Sequence, residues 1–460
     1  MTQDERSRSR GQAHEPNPIL ENQAETVQQQ QQQQLPSPPP DGGYGWAVTA
    51  SVAIVNGHSW GINAAYSVFL SHYLANDVFS GATPLGYAFV GSLSIGCTFL
   101  ISPLATIAVR VFGTRPTMLL GALLQSVSLV CASFATRMWH LFLSQGALFG
   151  IGMGLVFVPS YGIISQWFAA RRALANGIAI AGAGIGGLVY SLGSGAMIRN
   201  LGLEWALRIL STVSFVVNIS CILLIRTRYG ATGSRQLALD PGLLKRVEYL
   251  LILAFGSFSM LGYFVLLFTL ANYADEIGLD ASQAAVIPAL LMLGQAVGRP
   301  VIGHFSDKIG CINMAALLTL LTGVFSLTIW VNAKTYSVLI LFALVGGTVA
   351  GVFWVTVAPV MAEVVGLENL PSGLTQLWLA LVLPATFSEP IALEIVVQTG
   401  NYIGAQLFTG LVFIAAALCM ALLRGWAIGR TTRRNAEAAS EKRRGGAGAF
   451  LHDCCKWQRV

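Results

Sequence analysis

The chain has 460 residues, of which 27 are Lys or Arg and 21 Asp or Glu; 54% are hydrophobic and the net charge is +6. Charged residues make up 10%, against about 25% in soluble domains, and only 28 of them fall between residues 46 and 424. So little charge over that length cannot cover a water-facing surface, which excludes a large soluble catalytic domain and a nucleic-acid-binding domain and leaves a lipid bilayer as the solvent.

Residues 1–45 are polar, with a glutamine run (Gln28–Gln34) and Pro36, Pro38, Pro39 and Pro40. Such a stretch buries no core and is expected to be a disordered tail without a cleavable signal peptide. A membrane helix needs about 20 mostly apolar residues. Twelve such runs follow, at 46–70, 84–108, 116–134, 140–163, 173–193, 205–225, 248–272, 283–305, 311–332, 336–357, 374–397 and 401–424. Asn76-Asp77, Arg137, Arg199-Asn200, Asp275-Glu276, Lys334 and Thr399-Gly400 mark breaks between them. The expected fold is all-α, with twelve membrane helices.

Polar residues inside these runs are the candidate site. In the first run, Asn56 and Asn63 are candidate substrate contacts and His58 a candidate proton carrier, since it titrates near neutral pH; a helix–helix hydrogen bond is the alternative use for His58. Gly182, Gly184, Gly186 and Gly187 in the fifth run allow close helix approach. Residues 226–247, the longest inner loop, divide the chain into expected bundles at 46–225 and 248–424. The eighth run holds Arg299, with Gln295 one turn earlier on the same face. A guanidinium inside a membrane helix costs about 2.5–3.5 kcal/mol on insertion scales, so Arg299 must meet an anion or an ion-pair partner. The eleventh run holds Glu389 ahead of Pro390, placed either to carry a proton, to gate the outer side, or to sit idle at headgroup level. Residues 425–460 are basic and rich in small residues and are expected to be a second disordered tail; Cys454-Cys455 there are either palmitoylated or free thiols.

Orientation follows from the Lys and Arg count. With the N-terminus in the cytosol, the inner segments hold 22 of the 27, the outer loops hold Arg137, Arg199 and Lys334, and Arg208 and Arg299 lie within helices. By the positive-inside rule both termini are cytosolic, and this bias accounts for the basic net charge.

The halves carry a trace of duplication. The segment from Ser102-Pro103 to Gly113 aligns without gaps to that from Arg299-Pro300 to Gly310, at a constant offset of 197. Internally repeated halves are a common plan of secondary transporters. Gly303-His304-Phe305-Ser306-Asp307-Lys308-Ile309-Gly310 resembles the G-x-x-x-D-R/K-x-G loop of the major facilitator superfamily. The first copy departs from it, with Thr106 and Arg110 where Gly and Asp are expected and Gly113 and Arg115 at its end. Asp41-Gly42-Gly43-Tyr44-Gly45-Trp46 resembles the opening signature of the monocarboxylate porter family. Trp167 to Gly177 resembles its segment before the fifth helix, and Gly298-Arg299-Pro300 its eighth-helix arginine. Leu370-Pro371-Ser372 and Phe387-Ser388-Glu389-Pro390 resemble the fungal branch.

The resemblance implies two six-helix halves rocking about a central cavity, a small organic anion as substrate with Arg299 as anchor, proton coupling as a candidate energy source, and the plasma membrane as default location. The fungal branch adds uptake carriers and exporters associated with secondary-metabolite pathways, so that symport, export of a secondary metabolite and a neutral-substrate carrier on the same fold are all implied alternatives. Where the animal members of the family have a lysine and an aspartate, this chain has Ala64 and Gln295, which leans toward a larger or less acidic substrate than lactate. Neither an ATP-binding G-x-x-x-x-G-K-[ST] pattern nor HExxH occurs, so no cofactor, metal or enzyme activity is expected. A non-transporting sensor is the remaining alternative.

Overall fold

The computed structural model describes residues 39–76, 78–79, 83–228 and 239–438. The glutamine run and Cys454-Cys455 lie outside them. Among the described residues every regular element is a helix. The first half comprises α1 (Tyr44–Ala64, continued as Tyr66–Ala75), α2 (Pro84–Leu100, continued as Ser102–Phe112), α3 (Thr114–Ala132), α4 (Met138–Trp167), α5 (Arg172–Leu201) and α6 (Leu203–Leu224). The second comprises α7 (Val247–Glu276), α8 (Ala281–Ile309), α9 (Cys311–Trp330), α10 (Tyr336–Val365), α11 (Leu370–Thr399) and α12 (Ile403–Ala438). Ten of these are long and apolar enough to cross a membrane, and α2, bent by 45° between its two pieces, makes eleven. The first piece of α1 adds a further helix of 21 residues with Asn56, His58 and Asn63 along it.

Several helices outrun the apolar stretches. Arg199 and Asn200 are the last helical turn of α5, which stops at Gly202 (φ 87°). Asp275 and Glu276 likewise close α7. The last helix continues to Ala438, beyond its expected end at 424, so the first residues of the expected basic tail are helical. Apolar length records how much of a helix meets hydrocarbon, whereas its backbone hydrogen bonds continue into the headgroup layer where charged side chains are solvated.

Small residues set the closest approaches. A Cβ on Gly61 of α1 would lie 2.6 Å from the Gly186 carbonyl carbon of α5, so the two backbones touch. Without a hydrophobic drive between helices in lipid, such contact supplies the packing energy. The halves meet along two seams, α5 against α8 and α2 against α11. At the second, a Cβ on Gly96 would lie 2.5 Å from Thr386 Oγ1. The end of the bundle where α1 begins and α12 finishes is called the tail face below.

Candidate transport site

Between the seams lies a cavity of about 50 Å³, lined by helices of both halves. Arg299 of α8 reaches it while only 3% exposed. Its Nη1 donates to the Ile180 carbonyl of α5 at 2.7 Å, and its Nη2 donates to Gln295 Oε1 at 2.5 Å and to the Tyr263 hydroxyl at 3.2 Å. The Tyr263 hydroxyl in turn donates to Gln295 Oε1 at 2.8 Å. Arg299 Nε and Gln295 Nε2 are buried and have no hydrogen-bond partner. A Cβ on Gly351 would lie 3.0 Å from Arg299 Nε, so the glycine leaves the room that the guanidinium fills. All the partners of Arg299 are neutral. A buried cation so placed keeps its charge uncompensated, which a bound anion relieves.

The other candidates divide. Asn56, Asn63, Gln295 and Ala64 line the cavity. The Asn56 amide donates to the Ala179 carbonyl at 2.9 Å and that of Asn63 to Ser94 Oγ at 2.6 Å. His58 is not among the lining residues. Its Nδ1 is 2.9 Å from the Ile54 carbonyl oxygen of the same helix, and its ring meets Tyr190 of α5 edge-on. Glu389 is buried at the α2/α11 seam, with Ser92 of α2 and Tyr66 of α1 as neighbours. It forms no ion pair with Arg299.

The sequence patterns did not single out the aromatic residues. Trp60, Phe157 and Trp354 line the cavity. Trp60 stands 5.2 Å from Phe157 and 5.5 Å from Trp354, centroid to centroid. On their tail side Phe99 stacks on Trp378 (5.7 Å, 9°), and the Tyr161 hydroxyl donates to the Trp354 carbonyl. The overlooked signal is position: tryptophans favour the membrane interfaces, yet Trp354 and Trp378 lie well inside α10 and α11.

The motif residues gather at the tail face. Asp307 of α8 accepts hydrogen bonds from the Ala173 and Leu174 amides at the start of α5, both at 2.9 Å. A carboxylate there satisfies orphan N–H groups and complements the positive end of the helix. Gly303, one turn earlier, sits directly on the Ala173 backbone. In the first copy, where Arg110 replaces the acid, the matching seam is held by Thr106 Oγ1 and Thr375 Oγ1 at 2.6 Å and by Ser102 Oγ donating to the Thr375 carbonyl at 3.2 Å. Gly113 (φ 91°) and Gly310 (φ 107°) both take the positive φ that ends one helix and starts the next. Arg115 Nε donates to the Ile225 carbonyl at 2.8 Å, and Arg110 and Lys308 occupy last turns, where cations suit the helix dipole.

The Asp41 signature docks on the segment before α5. Asp41 Oδ1 accepts from the Ala169, Ala170 and Arg171 amides at 2.7, 2.8 and 3.3 Å. Gly42 and Gly43 (φ 60°) turn the chain into α1, Gly45 lets it approach the Phe168 ring, and Trp46 packs on that ring at 4.8 Å. Asn176 of α5 crosses to the second half, donating to the Trp354 and Val355 carbonyls at 3.1 and 2.9 Å. Like the Asp307 and Thr106 contacts, these bonds join the two halves.

Comparison with known proteins gives the same picture. Residues 49–270 and 250–452 each match the model of the Major Facilitator Superfamily. The chain is 33% identical over 400 residues to the probable transporter MCH2 of Saccharomyces cerevisiae, covering 85% of this chain and 84% of that one. It is 29% identical over 380 residues to monocarboxylate transporter 3 of Rattus norvegicus, covering 79% and 76%. The structure of the human organic anion transporter MFSD10 superposes with a TM-score of 0.64 at 15% identity, over 83% of this chain and all of that one, which establishes likeness of fold. Fold and relatives are those of transporters, not enzymes, and the apolar helices make the protein an integral multi-pass membrane protein. The chain belongs to the Major Facilitator Superfamily, in the monocarboxylate-porter-like branch of these relatives.

Proposed function

We propose that the protein is a secondary active carrier that moves a small organic anion of the monocarboxylate type across its membrane by alternating access of the central cavity. One observation carries this reading: Arg299 is a buried cation at the cavity wall with only neutral partners. A guanidinium presents a planar fork that matches a carboxylate. Gln295 Nε2 supplies a second donor beside it, and Asn56 and Asn63 shape the facing wall. The relatives named as monocarboxylate and organic anion transporters support the same class.

Gln295 and Ala64 stand where the resemblance places an acid and a lysine, so coupling falls to another group. Glu389 is the proton-carrying candidate, buried at the α2/α11 seam. The Lys and Arg asymmetry supports a tail face in the cytosol, and the plasma membrane is the family's default location. The gate consists of Asp307 gripping α5 on one seam and Thr106 meeting Thr375 on the other.

The test is flux of small monocarboxylates into and out of proteoliposomes, with and without a proton gradient. Arg299→Ala is expected to lower uptake at least about a hundredfold, the loss of a charge-assisted contact of about 3 kcal/mol or more, at normal protein yield. Glu389→Gln is expected to leave exchange intact and remove the response to the proton gradient. Transport indifferent to Arg299, or confined to neutral solutes, would overturn the anion reading.

A further inference from the structure

Among the described residues, Arg299 is the single charged one lining the cavity. The remaining wall is unlike a site for a short aliphatic acid. On one side stand the rings of Trp60, Phe157 and Trp354, drawn from α1, α4 and α10. Where α5 borders the cavity it contributes Ala183 and Gly184, and the packing of α5 on α8 keeps this stretch small: a Cβ on Gly184 would lie 3.0 Å from the Met292 carbonyl. Ring walls together with backbone-thin residues suit a flat body. The rings are also held in place. Trp354 is 4% exposed, its backbone carbonyl accepts from both Tyr161 and Asn176, and its ring leans on Tyr263 at 6.0 Å. Tyr263 itself bonds Arg299, so the ring wall and the anion anchor form one continuous framework.

We propose that the substrate is a monoanion carrying a planar aromatic body, an aryl-substituted carboxylate, with its carboxylate on Arg299 and its ring among Trp60, Phe157 and Trp354. This rests on the anion reading above and narrows it. Ring pairs at such spacings gain attraction beyond area burial, which a saturated ring of the same size does not match. A second carboxylate would find no second cation in the cavity, so dianions are rejected.

The experiment uses the purified full chain in nanodiscs and measures binding of four probes: phenylacetate, cyclohexylacetate, phenylacetamide and phenylmalonate. Phenylacetate is expected to bind about fivefold or more tighter than cyclohexylacetate, a ratio set by ring contacts of the usual strength. Phenylacetamide and phenylmalonate are expected to bind far more weakly. Trp60→Leu should bring the two acids within about twofold of each other while cyclohexylacetate still binds, and Phe157→Leu should act the same way should the first variant fold poorly. Arg299→Gln should abolish binding of both acids. Equal affinity for the two acids in the native protein, with both dependent on Arg299, overturns the aromatic proposal and leaves the anion reading intact. Binding of phenylacetamide as tight as that of phenylacetate overturns both.

Discussion

Gly351 determines where the Arg299 guanidinium rests. A Cβ there would lie 3.0 Å from Nε, and the neighbours of Arg299 on its other edges are committed to hydrogen bonds. Gly351→Ala is therefore expected to displace the anchor, read as a raised KM for the anion, and to lower stability by about 1–3 kcal/mol. Gln295→Glu makes a complementary prediction. It places a carboxylate against Arg299 Nη2, where Oε1 now accepts at 2.5 Å. The anchor is then neutralised from within, so anion binding at neutral pH should fall and should recover as the medium is acidified and the new acid takes a proton. Binding measured across pH checks this. At this scale the sequence was legible where chemistry is expensive. A lone arginine in an apolar run, with a glutamine one turn away, stands out by cost alone. The aromatic wall does not, because Trp, Phe and Tyr are ordinary members of such runs and only their convergence from different helices makes them a site. His58 differs from both: its chemistry suits proton transfer, and it lies off the cavity wall with its ring edge-on to Tyr190.

Among the helices, α5 is the most heavily held. Its approach segment is capped by Asp41 from its own half and its first turn by Asp307 from the other. The two acids have different duties. Asp41 bonds within one half and persists through any movement between halves, so Asp41→Ala is expected to lower thermal stability by about 0.5–2 kcal/mol, the usual worth of a helix cap, in any conformation. Asp307 bonds across the seam, so its contact is lost if the halves part there. Asp307→Asn keeps the shape and removes the charge, and is expected to raise labelling of a cysteine placed at Ala173 without a matching fall in stability. The signature around Asp41 was visible as a pattern, but its purpose was not, because its partners lie more than a hundred residues away. Helix ends were misplaced for a related reason: hydropathy tracks the hydrocarbon layer, and α5, α7 and α12 continue beyond it.

For the whole molecule, apolar run length made the helical architecture plain, and the repeat of the Pro103 and Pro300 segments marked its two halves. What could not be read was how unequally the halves are fastened. At the α5/α8 seam the tail side carries the Asp307 grip, and the Asn176 amide and the Arg299 guanidinium each reach a backbone carbonyl across the gap. At the α2/α11 seam the tail side carries the bonds of Ser102 and Thr106 to Thr375, and Gly96 faces the Thr386 side chain, whereas at the α5/α8 seam Gly177 and Gly303 meet the backbone carbonyls of Arg299 and Ala173. In lipid, close backbone packing supplies the energy that holds helices together. Separation toward the tail face should thus begin between α2 and α11 and swing about α5 and α8 as a pivot, like a door rather than a pair of parting jaws. Spin-label pairs across each seam would register the inequality as a larger distance change at the first, and solute would leave through a lateral cleft on one side of the bundle.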